Sequence, residues 1–331
     1  MKEFIINEKN KGQRFDKYLF RILNEAPSSF VYKMLRKKNI TLNKKKADGK
    51  EIIEAGDVVN IFLSDETFDK FSKKVNTKIQ SFSGKASNIM KLNIIYEDEN
   101  IILINKPAGV LSQKDDSGLP SVNEFVLWHV VKNCGYTEED LKMYKPSCVN
   151  RLDRNTSGII VAAKNLAASQ LLSKGFKERT IGKFYYAAVA GEVLGDAHLK
   201  GYIRKDDKTN KVTIKKASDN FSEQEEEMLV KEGFSNIETS YEKVVSTKEK
   251  SLLLVHLITG KTHQIRAHLA SVNHPIIGDS KYGNEEINRR YKEKYQLLHS
   301  YKIVFPKYDD VLTAVSEKEF TCKPYWLDKL F

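Results

Sequence analysis

The residues with the most evident chemistry lie together in the segment VNRLDRNTSG, residues 149–158, where Asp153 stands between Arg151 and Arg154. An apolar run over residues 159–163 follows, so the segment is predicted to be a tight loop that enters a buried strand. Nearby positive charge favours the ionised form of a carboxylate, which could then act as a nucleophile or a base. An aspartate between two arginines is more often an ordinary ion pair, so this composition alone does not establish a catalytic role.

Two further segments carry groups that could act with this carboxylate. In KFYYAAVAG, the two-residue period of a strand predicts one common face for Lys183, Tyr185, Ala187 and Val189. A tyrosine in such a strand is more often a packed core residue than a catalytic one. The segment TGKTHQIR follows another apolar strand, and its GKT triplet is not a phosphate loop, because the first glycine of that pattern would fall at Val255.

The segment TGKTHQIR is predicted to end in a helix whose N-cap is Thr262. The buried stripe of this helix is expected at Ile265, Leu269 and Val272. His263 and Arg266 are three residues apart, so they are expected to share the opposite side of the helix. A metal site built from histidines is disfavoured, since their spacings give no compact ligand set and no HExxH or CxxC motif accompanies them.

The composition restricts the class of protein. The chain has 331 residues, enough for two domains, and a formal net charge of +11, which indicates a polyanionic partner. Its three cysteines, Cys134, Cys148 and Cys322, are unpatterned, so reduced thiols are expected rather than disulfides or a zinc site. Neither a signal-peptide segment nor a run of membrane-spanning length is evident, and a cytoplasmic protein is therefore expected.

The chain divides into three parts by composition. Residues 1–65 have the pattern of a compact unit with two short helices and a hairpin. The cationic side of the second helix is expected to carry Lys33, Arg36 and Lys37. Residues 66–91 are polar and are predicted to be a flexible linker. Residues 92–331 are predicted to form a second domain, in which an early strand ends at a KPAG turn that leaves room for a ligand beside Lys106.

Three segments together resemble a known enzyme family. RLDRNTSG, KFYYAAVAG and TGKTHQIR resemble, in this order, the motifs of the pseudouridine synthases that act on large-subunit ribosomal RNA. The KPAG turn and the later LLHS segment, residues 297–300, resemble further elements of that family. Residues 12–64 resemble the small RNA-binding domain named for ribosomal small-subunit protein four. Two departures stand out: Asn150 replaces the usual histidine, and Lys261 replaces the commoner arginine.

This resemblance implies a fold and a set of site residues. The fold would be mixed α+β, with a large and mostly antiparallel sheet around a catalytic cleft, preceded by a small α/β RNA-binding domain. Asp153 would be the catalytic carboxylate, Tyr185 would stack on the target base and relay a proton, and Arg266 would pair with Asp153. The expected substrate-binding residues are Lys33, Arg36, Lys37, Lys106, Asn150, Arg151, Arg154, His263 and Leu298.

The chemistry of this family fits the absence of cofactor motifs in the sequence. Converting uridine to pseudouridine exchanges a carbon–nitrogen glycosidic bond for a carbon–carbon bond, without redox change or net hydrolysis. No cofactor and no metal are therefore expected. The target base must leave its stack, and Arg151 is the candidate that fills the gap or contacts a phosphate.

Other functions stay open at this point. A pseudouridine synthase could act on transfer RNA instead, and a non-catalytic ribosome-associated RNA-binding protein would explain the net charge and the first unit equally well. A nuclease or glycosidase would need a metal cluster or a second placed carboxylate, and the sequence nominates neither. RNA is the expected partner of the retained alternatives, and the chain is expected to be a monomer.

Overall fold

The computed structural model describes residues 1–72, 92–206, 208–216 and 223–331. Residues 73–91, which make up most of the predicted linker, lie outside the described residues. Within the described ranges, no helix combines the length and the apolar character needed to span a membrane. The strands form two sheets, one before and one after the predicted linker.

The first sheet and three helices form the N-terminal unit. Its elements, in chain order, are β1 (Lys2–Ile5), α1 (Phe15–Ile22), α2 (Ser28–Arg36), β2 (Ile40–Leu42), β3 (Lys45–Lys46), β4 (Val58–Ile61) and α3 (Asp65–Phe71). The strands are antiparallel in the order β1-β4-β2-β3. Phe15, Leu19 and Val31 are fully buried, because apolar residues recur along one face of α1 and of α2. The predicted order of helix, helix and hairpin is confirmed, whereas β1 was not predicted.

Helix α3 corrects the start of the predicted linker. Phe68 and Phe71 pack against the core of the N-terminal unit. The carbonyl of Phe71 also accepts a hydrogen bond of 3.0 Å from the backbone N–H of Glu25. The linker prediction was therefore wrong for residues 66–71, because two aromatic residues within a polar stretch are enough to hold one face of a short helix in place.

The second sheet has eleven strands and carries the remaining helices. Its first elements are β5 (Asn93–Glu97), β6 (Ile101–Lys106), α4 (Val122–Asn133), α5 (Glu138–Met143), β7 (Ser147–Cys148), β8 (Ser157–Ala163), α6 (Leu166–Glu178) and β9 (Gly182–Ala190). Next come β10 (Ala197–Asp206), β11 (Lys211–Lys216), α7 (Glu223–Lys231), β12 (Ser235–Ser246) and β13 (Lys250–Leu257). The last are α8 (Gln264–Ser271), α9 (Glu285–Tyr291), β14 (Leu298–Val304), β15 (Glu319–Thr321) and α10 (Leu327–Leu330).

The order of this sheet is β11-β10-β12-β13-β9-β14-β8-β6-β5, with β15 paired to β14 and β7 to β8. Every pair of its strands is antiparallel except β14 with β8. All seven residues of β8 are buried, which agrees with the continuous apolar run in the sequence. The prediction of a mixed α+β fold with a large and mostly antiparallel sheet is confirmed.

The parallel pair of β8 and β14 fixes the end of the RLDRNTSG loop at the centre of the sheet. Gly158 lies opposite Ser300 and has a φ of +108°, which side chains rarely tolerate. A Cβ atom at Gly158 would come within 2.3 Å of the Ser300 carbonyl oxygen. Next to it, the Ser157 hydroxyl is hydrogen-bonded to Nδ1 of His299 at 2.8 Å. The glycine of this loop is therefore required by close approach of two backbones.

The N-terminal unit touches the second domain at α5. Met143 packs into the core of the N-terminal unit. The ammonium of Lys9 lies 3.2 Å from Asp140 Oδ2 and 3.9 Å from the centroid of the Tyr136 ring. Both units thus contribute side chains to one contact.

Replacing Gly158 tests the role of the parallel pair. Gly158→Ala is expected to lower the free energy of unfolding by about 2–5 kcal/mol, because overpacking of about 1–3 kcal/mol adds to backbone strain of about 1–2 kcal/mol. Gly191→Ala is the matched control, since Gly191 also has a positive φ, +80°, but its Cβ would meet nothing within 4 Å. Equilibrium urea unfolding measures both losses, and equal losses would contradict the proposed backbone contact.

Candidate active site

A cleft of about 1010 Å³ contains the residues of all three sequence motifs. Asp153, Tyr185 and Arg266 line it, so the structure brings together the three residues that the resemblance names as catalytic. Many of the other lining residues are cationic, among them Lys114, Arg151, Arg154, Lys177, Lys261 and Lys281. A cleft lined by charges of one sign attracts ligands of the opposite sign. This cleft therefore suits a phosphate backbone.

Asp153 presents one anchored and one available carboxylate oxygen. Its side chain is 28% exposed, and its Oδ2 accepts a hydrogen bond of 2.8 Å from Nη1 of Arg266. Oδ1 accepts no hydrogen bond from the residues that the structure describes. The backbone carbonyl of Asp153 accepts a hydrogen bond of 3.0 Å from the N–H of Thr156, which closes the turn before β8. The loop thus holds the carboxylate at the edge of the cleft, with Oδ1 left without a hydrogen bond from the described residues.

Arg266 is held by a second, fully buried carboxylate. Its Nε and Nη2 donate to Oδ2 and Oδ1 of Asp279 at 2.7 and 2.9 Å. The Asp279 side chain is 0% exposed and also accepts hydrogen bonds from the backbone N–H groups of Lys281 and Tyr282. Burial alone would raise the pKa of Asp279, but the hydrogen bonds and charge of Arg266 hold it below its ordinary value. The guanidinium of Arg266 is therefore held in place by Asp279 even when its hydrogen bond to Asp153 is broken.

Sequence reasoning missed Asp279. A single acidic residue after the apolar pair of residues 276–277 has no spacing pattern of its own, and only the tertiary structure brings it to Arg266. The available signal in the sequence was the glycine before it, Gly278, because glycine often marks a turn. In the structure this residue has a φ of +81°.

Tyr185 forms one wall of the cleft from the centre of the sheet. It lies on β9 and is 5% exposed. Burial raises the pKa of its phenol, a hydrogen bond with the Ser300 side chain lowers it, and the charge of Asp153 raises it, with a net upward shift. The phenol is therefore protonated throughout the neutral range. The predicted common face is confirmed for Tyr185, Ala187 and Val189, which share the main core.

Helix α8 begins at Gln264, so the predicted N-cap at Thr262 is wrong. The N-cap position is His263, whose φ is +55°, and it makes no side-chain cap hydrogen bond. The side chain of Gln264 instead holds the loop before the helix. Its Oε1 accepts a hydrogen bond of 3.0 Å from the N–H of Lys261 and one of 2.8 Å from the hydroxyl of Thr259. The helix is also buried on more than one side, since Gln264 and Arg266 are as inaccessible as its apolar residues.

His263 lies beside Asp153 in the cleft. Its Nδ1 is 3.0 Å from the Tyr282 hydroxyl, and its Nε2 is 3.9 Å from Asp153 Oδ2. Burial lowers the pKa of His263, Arg266 and Lys281 lower it further, and Asp153 opposes them. The imidazole is therefore neutral at pH 7.

Lys106 does not face the cleft, and its prediction as a substrate contact is wrong. Its side chain is fully buried, and its Nζ donates to the carbonyl oxygens of Pro107, Val110 and Arg154 at 3.1, 2.8 and 3.0 Å. All three hydrogens of the ammonium are used in this way. Lys106 therefore binds the KPAG turn to the loop of Asp153 and has no donor left for a ligand.

Two other predicted contacts have structural partners. Oδ1 of Asn150 accepts a hydrogen bond of 2.7 Å from the N–H of Val161 and so fastens the loop to β8, although Asn150 also lines the cleft. Leu298 is 4% exposed, packs in the main core, and is not among the described residues that line the cleft. The geometry gives no support for Leu298 as a base contact, because the LLHS strand turns this side chain inward.

The cations predicted to bind substrate lie on two surfaces. Arg151 and Arg154 are exposed at the rim of the cleft, and Nε of Arg154 donates to the carbonyl of Gly109 at 3.3 Å. Lys33, Arg36 and Lys37 are exposed on and just after α2. The latter three belong to the N-terminal unit and do not line the cleft.

One group among the described residues has ligand atoms placed as for a metal ion. Glu97, His129 and Cys134 bring such atoms within 4.8 Å of one another. The ammonium of Lys164 already lies 2.8 Å from Glu97 Oε1, while His129 Nε2 is 2.8 Å from Oε2. Because a cation already neutralises the carboxylate, this cluster is better described as a hydrogen-bonded clamp between β5 and α4.

The burial of Lys106 has a consequence for the pH dependence of stability. Burial lowers the pKa of Lys106 to about 7, against the opposing effect of Asp153, whereas its ordinary value is 10.5. Between pH 7 and 10.5, Lys106 is protonated in the unfolded chain but largely neutral in the folded one. The free energy of unfolding therefore decreases as the pH falls from about 10.5 toward 7. The stability of wild type relative to Lys106→Met is therefore expected to rise between pH 7 and 10, by at most about 1.4 kcal/mol per pH unit.

Equilibrium unfolding at several pH values measures this difference. Lys174→Met, at an exposed position on α6, is the control and should leave the pH dependence of the wild type unchanged. A difference between wild type and Lys106→Met that is independent of pH would refute the assigned shift.

Comparison with known proteins gives the family. A family model described as RNA pseudouridylate synthase matches residues 100–271, which include Asp153, Tyr185 and Arg266. The "Uncharacterized RNA pseudouridine synthase MG370" of Mycoplasma genitalium is 33% identical, over 97% of this chain and 95% of its own. The "Ribosomal large subunit pseudouridine synthase C" of Rickettsia felis is 31% identical, over 88% of each chain.

The solved structures agree in fold. The structure titled "Human RNA Pseudouridylate Synthase Domain Containing 1" aligns with a TM-score of 0.53 at 20% identity, over 73% of this chain and 87% of that one. "Human RNA Pseudouridylate Synthase Domain Containing 4" gives a TM-score of 0.51 at 22% identity, over 71% and 89%. With the family model and the full-length relatives, this fold makes the chain a member of the RNA pseudouridine synthase family, and hence an RNA-modifying isomerase.

Proposed function

We propose that this enzyme converts uridine to pseudouridine in large-subunit ribosomal RNA, with Asp153 as its catalytic carboxylate. The observation that carries the proposal is the carboxylate of Asp153, bound through one oxygen to Arg266 within a cationic cleft. The printed names of relatives such as the Rickettsia felis enzyme favour the ribosomal substrate. The proposal includes a monomeric, cytoplasmic enzyme that needs no cofactor.

The reaction makes limited demands, which the site can meet. The bond between N1 of uracil and C1′ of ribose breaks and a bond between C5 and C1′ forms. The proton of C5 passes to solvent, and N1 takes up a proton from solvent, so that the product is an isomer of uridine. Asp153 attacks either the ribose or the ring, and both routes need an ionised carboxylate with a free oxygen, as at Oδ1. Eversion of the base costs a few kcal/mol, which contacts from Arg151 and Arg154 to the RNA would offset.

Tyr185 is proposed to hold the everted base. An aromatic ring under a base contributes stacking of about 1–3 kcal/mol. The phenol is protonated, so it can pass on the proton that leaves C5 only while giving up its own. This role combines a rigid stacking surface with a short proton path.

The N-terminal unit is proposed to be the RNA-binding domain that the sequence resembles. Lys33, Arg36 and Lys37 are exposed together, and the nearby β2–β3 hairpin adds the exposed lysines 44–46. Cations that recur on adjacent elements fit a phosphate backbone better than an isolated charge does. Contact between this unit and α5 would carry bound RNA close to the second domain.

Asp153→Asn tests the catalytic assignment. Turnover is expected to fall by about 10⁴-fold or more, because the amide is neither a nucleophile nor a base. Tritium release from [5-³H]uridine-labelled transcripts of large-subunit ribosomal RNA and of transfer RNA measures turnover, and filter binding measures affinity, which should change little. Asp309→Asn makes the same chemical change on a side chain that is 83% exposed and should remain fully active. Turnover by Asp153→Asn at the wild-type rate would end the proposal.

Removing the cations of α2 tests the N-terminal assignment. The triple variant of Lys33, Arg36 and Lys37 to alanine should reduce the slope of log affinity against log salt by about 2, because each lost phosphate contact contributes about 0.7. Turnover at saturating RNA should be unchanged. The matched triple variant replaces three exposed lysines of the second domain, Lys307, Lys318 and Lys329. The assignment is contradicted if both triple variants keep the wild-type slope.

A further inference from the structure

We infer that Tyr282 fixes His263 in the tautomer that carries its proton on Nε2, and that this N–H donates a hydrogen bond to an oxygen of the target uridine beside Asp153. The inference rests on the proposed function, because it names a contact to the substrate of that site. Tyr282 is thereby a positioning residue that acts through His263.

The tautomer follows from the hydrogen bonds of the Tyr282 hydroxyl. Its oxygen accepts a hydrogen bond of 2.8 Å from the backbone N–H of Val212 on β11, so the phenol proton points away from that strand. Nδ1 of His263 lies 3.0 Å from the same hydroxyl. Because this oxygen already accepts one hydrogen bond, we assign Nδ1 as the acceptor of the phenol proton. An imidazole that accepts at Nδ1 carries its own hydrogen on Nε2 when it is neutral. Burial, with Arg266 and Lys281 nearby, keeps the ring neutral.

Nε2 of His263 lies near Asp153, and none of the residues that the structure describes is within hydrogen-bond distance of it. It is 3.9 Å from Asp153 Oδ2, which is too long for a hydrogen bond. That oxygen already accepts from Arg266 at 2.8 Å. His263 and Asp153 both line the cleft, so a substrate bound there would meet the donor and the available Oδ1 together.

The chemistry of the donor selects the acceptor. A neutral N–H suits a carbonyl oxygen of uracil or a ribose hydroxyl, while phosphates are better matched by the surrounding cations. The base and the sugar offer the same kind of acceptor, and the two can be separated by altering the RNA. Tyr282 is itself well held, because its ring lies against the Arg266 guanidinium at 5.3 Å and its oxygen is tied to β11.

If His263 had a purely structural role, its substitutions by asparagine and glutamine would rank in the opposite order of activity. The residue has a φ of +55°, and histidine and asparagine are both favoured in that conformation. If His263 served only the backbone, asparagine would replace it better than glutamine. The amide nitrogen of glutamine, however, falls near the position of Nε2, whereas that of asparagine falls near Nδ1.

The experiment compares His263→Gln with His263→Asn in the full chain. On the [5-³H]uridine-labelled transcript of large-subunit ribosomal RNA, the glutamine variant should keep kcat/KM within about threefold of wild type, and the asparagine variant should lose about tenfold or more. Thermal unfolding should rank the two variants the other way. Equal activities, or a more active asparagine variant, would overturn the inference.

Tyr282→Phe tests whether Tyr282 fixes the tautomer of His263. It should reduce kcat/KM by about threefold to tenfold in the wild-type background, because the imidazole can then take either tautomer. In the His263→Gln background it should cost nothing further, since an amide has no tautomer to fix. The same loss in both backgrounds would show that Tyr282 acts only on stability and would overturn the coupling.

Modified transcripts identify the acceptor. Transcripts made with 2-thiouridine, 4-thiouridine or 2′-fluorouridine each weaken one candidate acceptor. The modified nucleotide that abolishes the difference in kcat/KM between wild type and His263→Asn identifies the acceptor oxygen. The inference fails if none of the modified transcripts reduces this difference. A wild-type enzyme with no turnover on ordinary transcripts would instead refute the proposed function itself.

Discussion

The site depends on one buried guanidinium shared by two carboxylates. Asp279 takes two of the hydrogen bonds of Arg266 and Asp153 takes one. If Arg266 paired with Asp153 alone, the two charges would cancel, and little net negative charge would remain at the Asp153 carboxylate. Because Asp279 already balances the arginine, the triad keeps a net negative charge, and that charge is placed on the partly exposed member. Breaking such a buried pair by removing one partner costs about 3–5 kcal/mol, so the interaction that positions the proposed catalytic group also stabilises the fold.

The sheet makes that interaction possible by bringing three distant segments to one edge. The loop before β8 supplies Asp153, the helix after β13 supplies Arg266, and the turn after Ile277 supplies Asp279. The parallel pairing of β8 with β14 sets where the first of these segments ends. Gly158 allows these two backbones to approach, and the antiparallel pairing of β14 with β9 places Ser300 opposite Tyr185. Strand β14 thus sets the position of both the Asp153 loop and Tyr185.

Local patterns predicted most elements. The family resemblance supplied the three motif residues and the pairing of Arg266 with Asp153, whereas partners outside the motifs could not be predicted. The period of two in residues 183–191 and the apolar run after Gly158 identified strands that the structure contains. Asp279 was missed because one acidic residue has no pattern, and its partner is chosen by the tertiary fold. Lys106 was misjudged because sequence cannot tell whether a lysine at a strand end meets solvent or three carbonyl oxygens. The predicted cap of α8 failed for a similar reason, since Gln264 satisfies the loop from inside the helix.

The distribution of charge within the cleft also explains why Lys106 is turned away. A free ammonium next to Asp153 would pair with the available oxygen and compete with the substrate. Its three carbonyl acceptors hold it beneath the loop instead. Arg151 and Arg154 are left exposed at the rim. His263 and Tyr185 also line the cleft and are both neutral, which suits the uncharged base of the proposed substrate.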